Sequence, residues 1–270
     1  MRSGASEGVA VVIAAWRASA TIGRAVASAL AQAETLEVVV VDDASGDAGA
    51  TFSAARAADD GSNRLRLIAL EANAGPAHAR NVGIAATSAP WIGVLDSDDW
   101  MEPGRLNKLL AHAAGPDGRP CDILADDLLQ TDGAIERGRP LWFRGEAGAI
   151  DISLADFIRC NIPRRGRARR ELGFLKPLMR RAFLEQHALA YCDAMRLGED
   201  YDLYARMLAS GARMRLVPWC GYVSLMRPDS LSARHARADL AAYSAADDRL
   251  LALGSLSAEE RRWARRHQRS

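Results

Sequence analysis

Residues 91–100 read WIGVLDSDDW: an apolar run from Trp91 to Leu95 that stops at three carboxylates, Asp96, Asp98 and Asp99. The run has the length and composition of a buried strand. Like charges this close raise one another's pKa values and cost stability unless a cation or hydrogen-bond donors offset them. Two readings fit, a solvated turn leading into the next helix and a divalent-metal site at a strand end. Outward from this point, VAVVIAA (9–15), LEVVVV (36–41) and RLRLIAL (64–70) are further short β-rich runs. Helical patterns lie between them over Thr21–Gln32, Ala48–Ala58 and Pro76–Ala86, the last with Pro in its first turn. Strand, helix, strand at this spacing predicts an α/β fold with right-handed crossovers: a Rossmann-like, mostly parallel central sheet with helices on both faces. Ligands of such sheets lie beyond the carboxyl ends of the strands. Asp42 and Asp43 follow the second run as Asp96 to Asp99 follow the fourth, so both acidic groups are expected on one rim.

The second half is less regular. CDILAD (121–126) reads as a strand, DISLADFI (151–158) and RRAFLEQH (180–187) as short helices, and IPRRGRARR (162–170) as a basic loop. RLGEDYDLYARMLASGA (196–212) reads as a helix, RMRLVPW and GYVSLM as strands, and the chain from Ala236 as helical. A net charge of +1 over 270 residues excludes the broad basic excess of a nucleic-acid binder. Lys108 and Lys176 are the only lysines; every other basic residue besides histidine is Arg. Cys121, Cys160, Cys192 and Cys220 have neither zinc-site nor disulfide spacing, which suits a reducing cytoplasm. The apolar run from Val9 to Trp16 lacks the flanks of a secretory signal, and no stretch approaches the roughly 18 apolar residues of a membrane span. Membrane contact is therefore expected to be peripheral.

The turn after the first strand, AWRASAT, carries no G-x-G-x-x-G, so a dinucleotide fingerprint is absent, and no G-x-x-x-x-G-K-[ST] occurs anywhere. What remains is a nucleotide site built from carboxylates. One at the second strand's end can accept the N3–H of uracil or a ribose hydroxyl, and Asp98 can hold Mg²⁺ or Mn²⁺ against a diphosphate, since those ions are usually bound by one or two carboxylates plus substrate phosphates.

The order VVIAAW, VVVVDDASGD, NAGPAHARN, WIGVLDSDDWMEPGRL and LGEDYDLYARML, from about Val9 to about Leu208, resembles the family 2 glycosyltransferases, with a looser echo in RPDSLS. LGFLKPLMRRAFLEQHALAY further resembles the glucosyltransferases of succinoglycan-type exopolysaccharide assembly. The resemblance implies a GT-A fold over 1–235, with a nucleotide-binding half (1–100), an acceptor and catalytic half (101–235), and a helical tail (236–270). It implies that Asp43, with Asp42, meets uracil and ribose and that the backbone of Ala14, Ala15 and Trp16 lines the base pocket. Arg80 and Ser97 join the nucleotide-sugar contacts. Asp96 and Asp98 become a D-x-D pair, Asp98 the direct ligand of Mg²⁺ or Mn²⁺ and Asp99 a cap for the next helix. Asp200 becomes the general base, with Glu199 beside it. The family's Pro-x-Tyr-Asn after the first strand is here Ala14-Ala15-Trp16-Arg17, a departure at the base pocket.

Each feature has a plainer reading. DDASGD is a good turn and N-cap sequence. Acids in a helix's first turn are favoured by its dipole, and an Arg within a helix, as Arg80 is, is more often solvated or ion-paired than a substrate clamp. The histidines, His235 among them, have no metal-ligand spacing. Two basic clusters, Arg164, Arg165, Arg167, Arg169 and Arg170, and Arg261, Arg262, Arg265, Arg266 and Arg269 with Trp263, can be simply solvated; together they suit an anionic membrane surface. The reading is an inverting, metal-dependent transferase moving glucose from a UDP-sugar to a saccharide acceptor on a lipid carrier, with no nucleic-acid partner. The alternatives are a nucleotidyltransferase, against which stands the missing Gly-rich basic loop, and a non-catalytic binding scaffold, against which stand the intact GED and DSD.

Overall fold

The computed structural model describes residues 8–133, 138–142, 148–162, 171–226 and 237–270. Four strands form a parallel block in the order β3-β2-β1-β4: β1 (Val9–Ala15), β2 (Thr35–Asp42), β3 (Leu65–Ala69) and β4 (Trp91–Val94). β1 is buried along nearly its whole length, as a parallel strand covered on both faces must be. Alternation along β2 divides the core: Val38 and Val40 face one layer, with Ile22, Val26 and Leu30 of α1 (Ile22–Leu30), and Val39 and Val41 face the other, with Ala79 of α3 (Pro76–Ala85). α2 (Ala48–Ala57) completes the crossovers. Ala15 lies opposite Asp42 and Val12 opposite Val94, so the chain leaves β1, β2 and β4 along one edge. At Gly83 a Cβ would stand 2.4 Å from a Val12 methyl, so only glycine lets α3 lie this close to β1.

The sheet continues as a mixed one. β9 (Leu178–Arg180) runs antiparallel between β4 and β6 (Ile123–Thr131), and β6 pairs in parallel with the long β10 (Met214–Leu225). β10 also pairs antiparallel with β5 (Trp100–Met101) and β8 (Ile150–Ile152), and β7 (Arg139–Pro140) with β6. Several local expectations are corrected. The strand expected over 121–126 runs to Thr131, because Asp126 and Asp127 are buried and bonded inside the sheet rather than ending the strand. The helix expected over 151–158 begins only at Leu154, after β8: Ser153 caps α5 (Leu154–Asn161), its Oγ accepting from the Asp156 N–H at 3.1 Å. RMRLVPW and GYVSLM form one strand, irregular between Val217 and Tyr222 where Pro218 interrupts the ladder. The helix expected over 196–212 is α7 (Glu199–Ala209), and the one over 180–187 is α6 (Arg181–Gln186). Leu172–Phe174 form a 3₁₀ turn.

α8 (Arg237–Ala252), α9 (Ala258–His267) and the turn between them bury Leu250, Ala264 and Leu256 in the core cluster that contains β1. All four cysteines are free, and no helix among the described residues is long and apolar enough to cross a membrane. The arginines expected at 164–170, the RPDSLS segment and His235 lie outside the described residues.

A buried ion pair ties α4 to the mixed half of the sheet. Arg105, at the start of α4 (Arg105–Leu110), is fully buried; its Nε donates to Asp126 Oδ2 at 3.0 Å, and its Nη2 to Asp126 Oδ1 at 2.8 Å and to the Lys176 carbonyl at 2.5 Å. Its guanidinium lies 5.1 Å from the centre of the Tyr222 ring. Removing one partner of a buried pair strands the other charge. Arg105→Met is therefore expected to destabilise the protein by about 3–5 kcal/mol in urea denaturation; a loss below about 1 kcal/mol would show that the pair does not hold β6 to α4.

Candidate active site

The rim acids divide their labour. Asp42, fully buried at the end of β2, accepts from Ser45 N–H at 3.1 Å and from Ser45 Oγ–H at 2.5 Å, which closes the DDASG turn. Asp43 accepts from the backbone N–H groups of Ala74 and Gly75, both at 2.8 Å, fixing the segment that opens α3. Ala14 and Ala15 lie at the end of β1; Trp16 beyond them is 51% exposed, with the Arg17 guanidinium 4.5 Å from its ring centre.

The turn after β4 is clamped from behind. The Asp96 N–H donates to Tyr222 Oη at 3.0 Å, and the Tyr222 hydroxyl donates to Asp99 Oδ2 at 2.9 Å. Asp99 also accepts from the Leu225 N–H at 2.8 Å. Arg24 of α1 stacks over Trp100 and donates to the Asp98 carbonyl at 2.8 Å. The expected capping role of Asp99 is thus corrected: Gly104 caps α4, while Asp99 is buried and ties the turn to β10. Burial first, then the neighbouring Asp96 and Asp98 carboxylates, push Asp99 up to about 8. Asp96, Ser97 and Asp98 stay partly exposed on the rim.

Asp96 meets acids from the far end of the chain. Gly198, at φ +80°, starts α7, and a Cβ there would stand 2.2 Å from the Tyr243 ring, so both backbone and space require glycine. The next two residues, Glu199 and Asp200, are buried in the first turn of α7. Arg80, on the inner side of α3, donates from Nη1 to Glu199 Oε1 at 2.5 Å and to Asp200 Oδ1 at 3.4 Å, and from Nη2 to Asp96 Oδ1 at 2.8 Å. Lys176 Nζ lies 2.6 Å from Asp200 Oδ2 and 3.0 Å from Asp96 Oδ2. Tyr204 Oη–H donates to Asp200 Oδ1 at 3.2 Å. The result is a closed ring, Asp96–Arg80–Asp200–Lys176, with Glu199 as a third acid on Arg80. Burial works to raise the Asp96 carboxyl, but Lys176 and Arg80 outweigh it and hold it at about 2. Burial likewise raises Glu199 and prevails against Arg80.

The ring brings Arg80, Asp96, Glu199 and Asp200 together; Asp43 joins it through α3, whose start it holds, while the Asp42 carboxylate serves its own turn. Sequence reasoning misses Lys176, although a signal exists: it is one of two lysines in a chain whose other cationic residues are arginine. Tyr204 and Tyr222 give no signal, since an aromatic on a helix or strand reads as core.

No group of three His, Cys, Asp or Glu side chains among the described residues is arranged to hold a metal ion. Mg²⁺ and Mn²⁺ need less from the protein when a diphosphate supplies the remaining oxygens. Asp96 and Asp98, one residue apart and both partly exposed, fit that smaller demand, Asp96 only through lone pairs left over from Arg80 and Lys176.

A family model described as glycosyl transferase family 2 matches residues 10–197. Succinoglycan biosynthesis protein ExoU of Rhizobium meliloti (strain 1021) is 49% identical over 272 residues, covering 100% of this chain and 77% of that protein. ExoO, a succinoglycan biosynthesis protein of the same strain, is 40% identical over 248 residues, covering 90% of this chain and 68% of that protein. Among solved structures, S. aureus TarS 1–349 in complex with UDP-GlcNAc matches with a TM-score of 0.75 at 18% identity, over 95% of this chain and 70% of that one. The mannosyltransferase PcManGT of Pyrobaculum calidifontis, in complex with GDP-Man and Mn²⁺, matches with a TM-score of 0.62 at 15% identity, over 96% and 68%. These two likenesses establish the fold, the expected GT-A arrangement.

A carboxyl raised on folding makes stability fall as pH climbs from its unfolded pKa, near 4, towards its folded one, because over that window the folded state holds a proton that the unfolded state has lost. For Asp99 that window ends at about 8. With divalent ions chelated, Asp99→Asn is expected to gain on the wild type by more than about 1 kcal/mol between pH 5 and pH 8. Parallel stability curves for the two proteins would show that Asp99 is ionised in the fold.

Proposed function

The chain belongs to glycosyl transferase family 2, and on that premise we propose that it transfers glucose from UDP-glucose, with inversion, to a saccharide acceptor on a lipid carrier in exopolysaccharide assembly. The observation that carries this reading is the ion-pair ring, which sets the rim carboxylate Asp96 and the helix carboxylate Asp200 around the same two cations, with Glu199 on one of them. A site that joins a nucleotide-sugar to an acceptor hydroxyl needs both groups side by side. Similarity to two succinoglycan biosynthesis proteins supports the pathway, and the TarS complex with UDP-GlcNAc supports a UDP-sugar as donor. Four free thiols suit a reducing compartment, and we assign the reaction to the cytoplasmic face of the membrane.

In this reading the uracil ring lies against the backbone of Ala14, Ala15 and Trp16, and the half-exposed Trp16 ring stands where the family has its tyrosine. Asp43 receives the uracil N3–H on lone pairs not used by Ala74 and Gly75, with Asp42 shaping the turn beneath the ribose. Asp98 and Asp96 would hold Mg²⁺ or Mn²⁺, which when bound supplies a Lewis acid for charge developing on the leaving diphosphate. Ser97 lies between them, on the donor side. Asp200 accepts the proton of the acceptor hydroxyl as it attacks the anomeric carbon from the face opposite UDP. Arg80, Lys176 and Tyr204 fix the orientation of that carboxylate. Glu199, held by Arg80, keeps the guanidinium in place between the donor and acceptor sides.

The test is UDP release with a panel of UDP-sugars, Mg²⁺ or Mn²⁺, and lipid-linked saccharide acceptors. Asp200→Asn is expected to lower kcat by roughly a hundredfold to ten-thousandfold while donor affinity stays within about twofold, since the donor's contacts lie at Asp43, Asp96 and Asp98. A melting curve shows that the variant is folded. Near-normal turnover by a folded Asp200→Asn protein would move the base elsewhere, and no UDP release from any UDP-sugar by the wild type would leave the chain a non-catalytic scaffold.

A further inference from the structure

α9 commits its apolar and hydrogen-bonding groups to the fold and presents the rest of its charge outward. A capping box starts it: Ser257 Oγ accepts from the Glu260 N–H at 3.3 Å, and Glu260 Oε2 accepts from the Ser257 N–H at 2.7 Å. Ala264 is fully buried, and Trp263 packs against the core with its Nε1–H directed to Glu259 at 3.3 Å. Arg261 belongs to the fold as well, donating to the carbonyls of Leu251, Leu253 and Leu256 at the end of α8. His267 Nδ1 lies 2.6 Å from Asp247 Oδ2, and its ring stacks on Tyr201 at 4.4 Å.

Four arginines remain, two of which, Arg262 and Arg266, hold their guanidinium groups 5.2 and 5.6 Å from the Trp263 ring centre. Arg262, Arg265, Arg266 and Arg269 are exposed and follow one another at helical spacing, so they share the outward face over successive turns. Together with Arg261, Ser270, Ala258 and Ile162 they line an open concavity of about 770 Å³. Arg262 reaches Glu259 at 3.8 Å, with both side chains well exposed; the other three have no acidic partner within 4 Å among the described residues. The helix dipole accounts for basic residues in the last turn, but not for a face that begins at Arg262. In a chain of net charge +1, such a concentration is a local feature and not general basicity.

We propose that this face of α9 is a docking surface for an anionic lipid bilayer, which it meets by charge without inserting. Guanidinium groups suit lipid phosphates, and a bilayer presents them as an extended sheet that a row of arginines can face at once. Single-stranded nucleic acid fits less well, because it is held largely by stacking on exposed aromatics, and the aromatic of this helix is packed against the core. Ala264 is buried and the partly buried Trp263 packs against the core, so no large apolar side chain of the helix stands free to penetrate the acyl region. The attachment is therefore electrostatic and reversible by salt. It also has a direction. His267 and Asp247 hold Tyr201, the neighbour of Asp200, and Tyr243 of α8 packs on Gly198, so the docked helix is braced directly against the helix that carries the proposed base. That this presents the base to a lipid-linked acceptor rests on the transferase reading; the docking surface itself does not.

The test is co-sedimentation of the full chain with vesicles of phosphatidylcholine, with and without phosphatidylglycerol, read without turnover so that it is independent of catalysis. The wild type is expected to bind the anionic vesicles at low salt, to ignore the neutral ones, and to be released by 1 M NaCl, where screening shortens the reach of charge to about 3 Å. Replacing Arg265, Arg266 and Arg269 together by Gln is expected to weaken binding roughly a hundredfold, with the melting temperature and UDP affinity unchanged, while the corresponding triple Lys variant keeps most of it. Absence of binding by the wild type, full binding by the Gln variant, or binding to an RNA homopolymer in preference to the anionic vesicles would each overturn the proposal.

Discussion

The pairing of Arg80 with Glu199 spans 119 residues of sequence at 2.5 Å, and the arrangement of the site depends on it. Three acids and two cations sit together there, all of them buried except Asp96 at the rim. Taking each charge out of solvent is costly, and only close partners of opposite sign offset the cost. The elements that supply the charges are therefore not free to move independently: α3 carries Arg80, the turn after β4 carries Asp96, the segment before β9 carries Lys176, and α7 carries Glu199 and Asp200. Other details come from this requirement. Gly83 lets α3 lie against β1, Asp43 pins the start of α3, and Gly198 turns the chain so that α7 begins with its acids pointing into the ring. The second buried pair, Arg105 with Asp126, does the same for the far side of the sheet, and its contact with the Lys176 carbonyl links the two.

The first hundred residues are legible because their physics is local. Short apolar runs and amphipathic helices in strict alternation leave one topology, and acids at strand ends fall on one rim. Beyond Trp100 the determinants are long-range. Asp126 and Asp127 read as a strand end because a carboxylate inside a sheet is costly, and nothing near them in sequence announces Arg105 or the Trp142 N–H that satisfy them. β10 reads as two strands because Pro218 interrupts a ladder that an irregular register nonetheless continues. β5 is two residues long and hides behind the acids that precede it.

The ring is legible in its acids and in Arg80, but not in Lys176. Asp96, Glu199 and Asp200 stand out by type and position, whereas Lys176 appears as one isolated Lys. The Asp42 carboxylate closes a turn, as the plainer reading has it. Asp99 fits neither expectation, being neither a cap nor a rim acid but a buried group held by Tyr222 and Leu225. In and just beyond α9, five arginines look equivalent in sequence; the structure separates Arg261, which caps α8, from four that face outward.

The role of the ion-pair ring is tested by a double-mutant cycle on Arg80→Met and Glu199→Gln, measured by urea denaturation with metal ions chelated. If the ring couples α3 to α7, the two substitutions are expected to be non-additive by about 1.5–3 kcal/mol, as for a buried charged hydrogen bond. Additivity to within about 0.3 kcal/mol would mean that the two side chains do not share an interaction, and that the donor and acceptor sides are not held together as described.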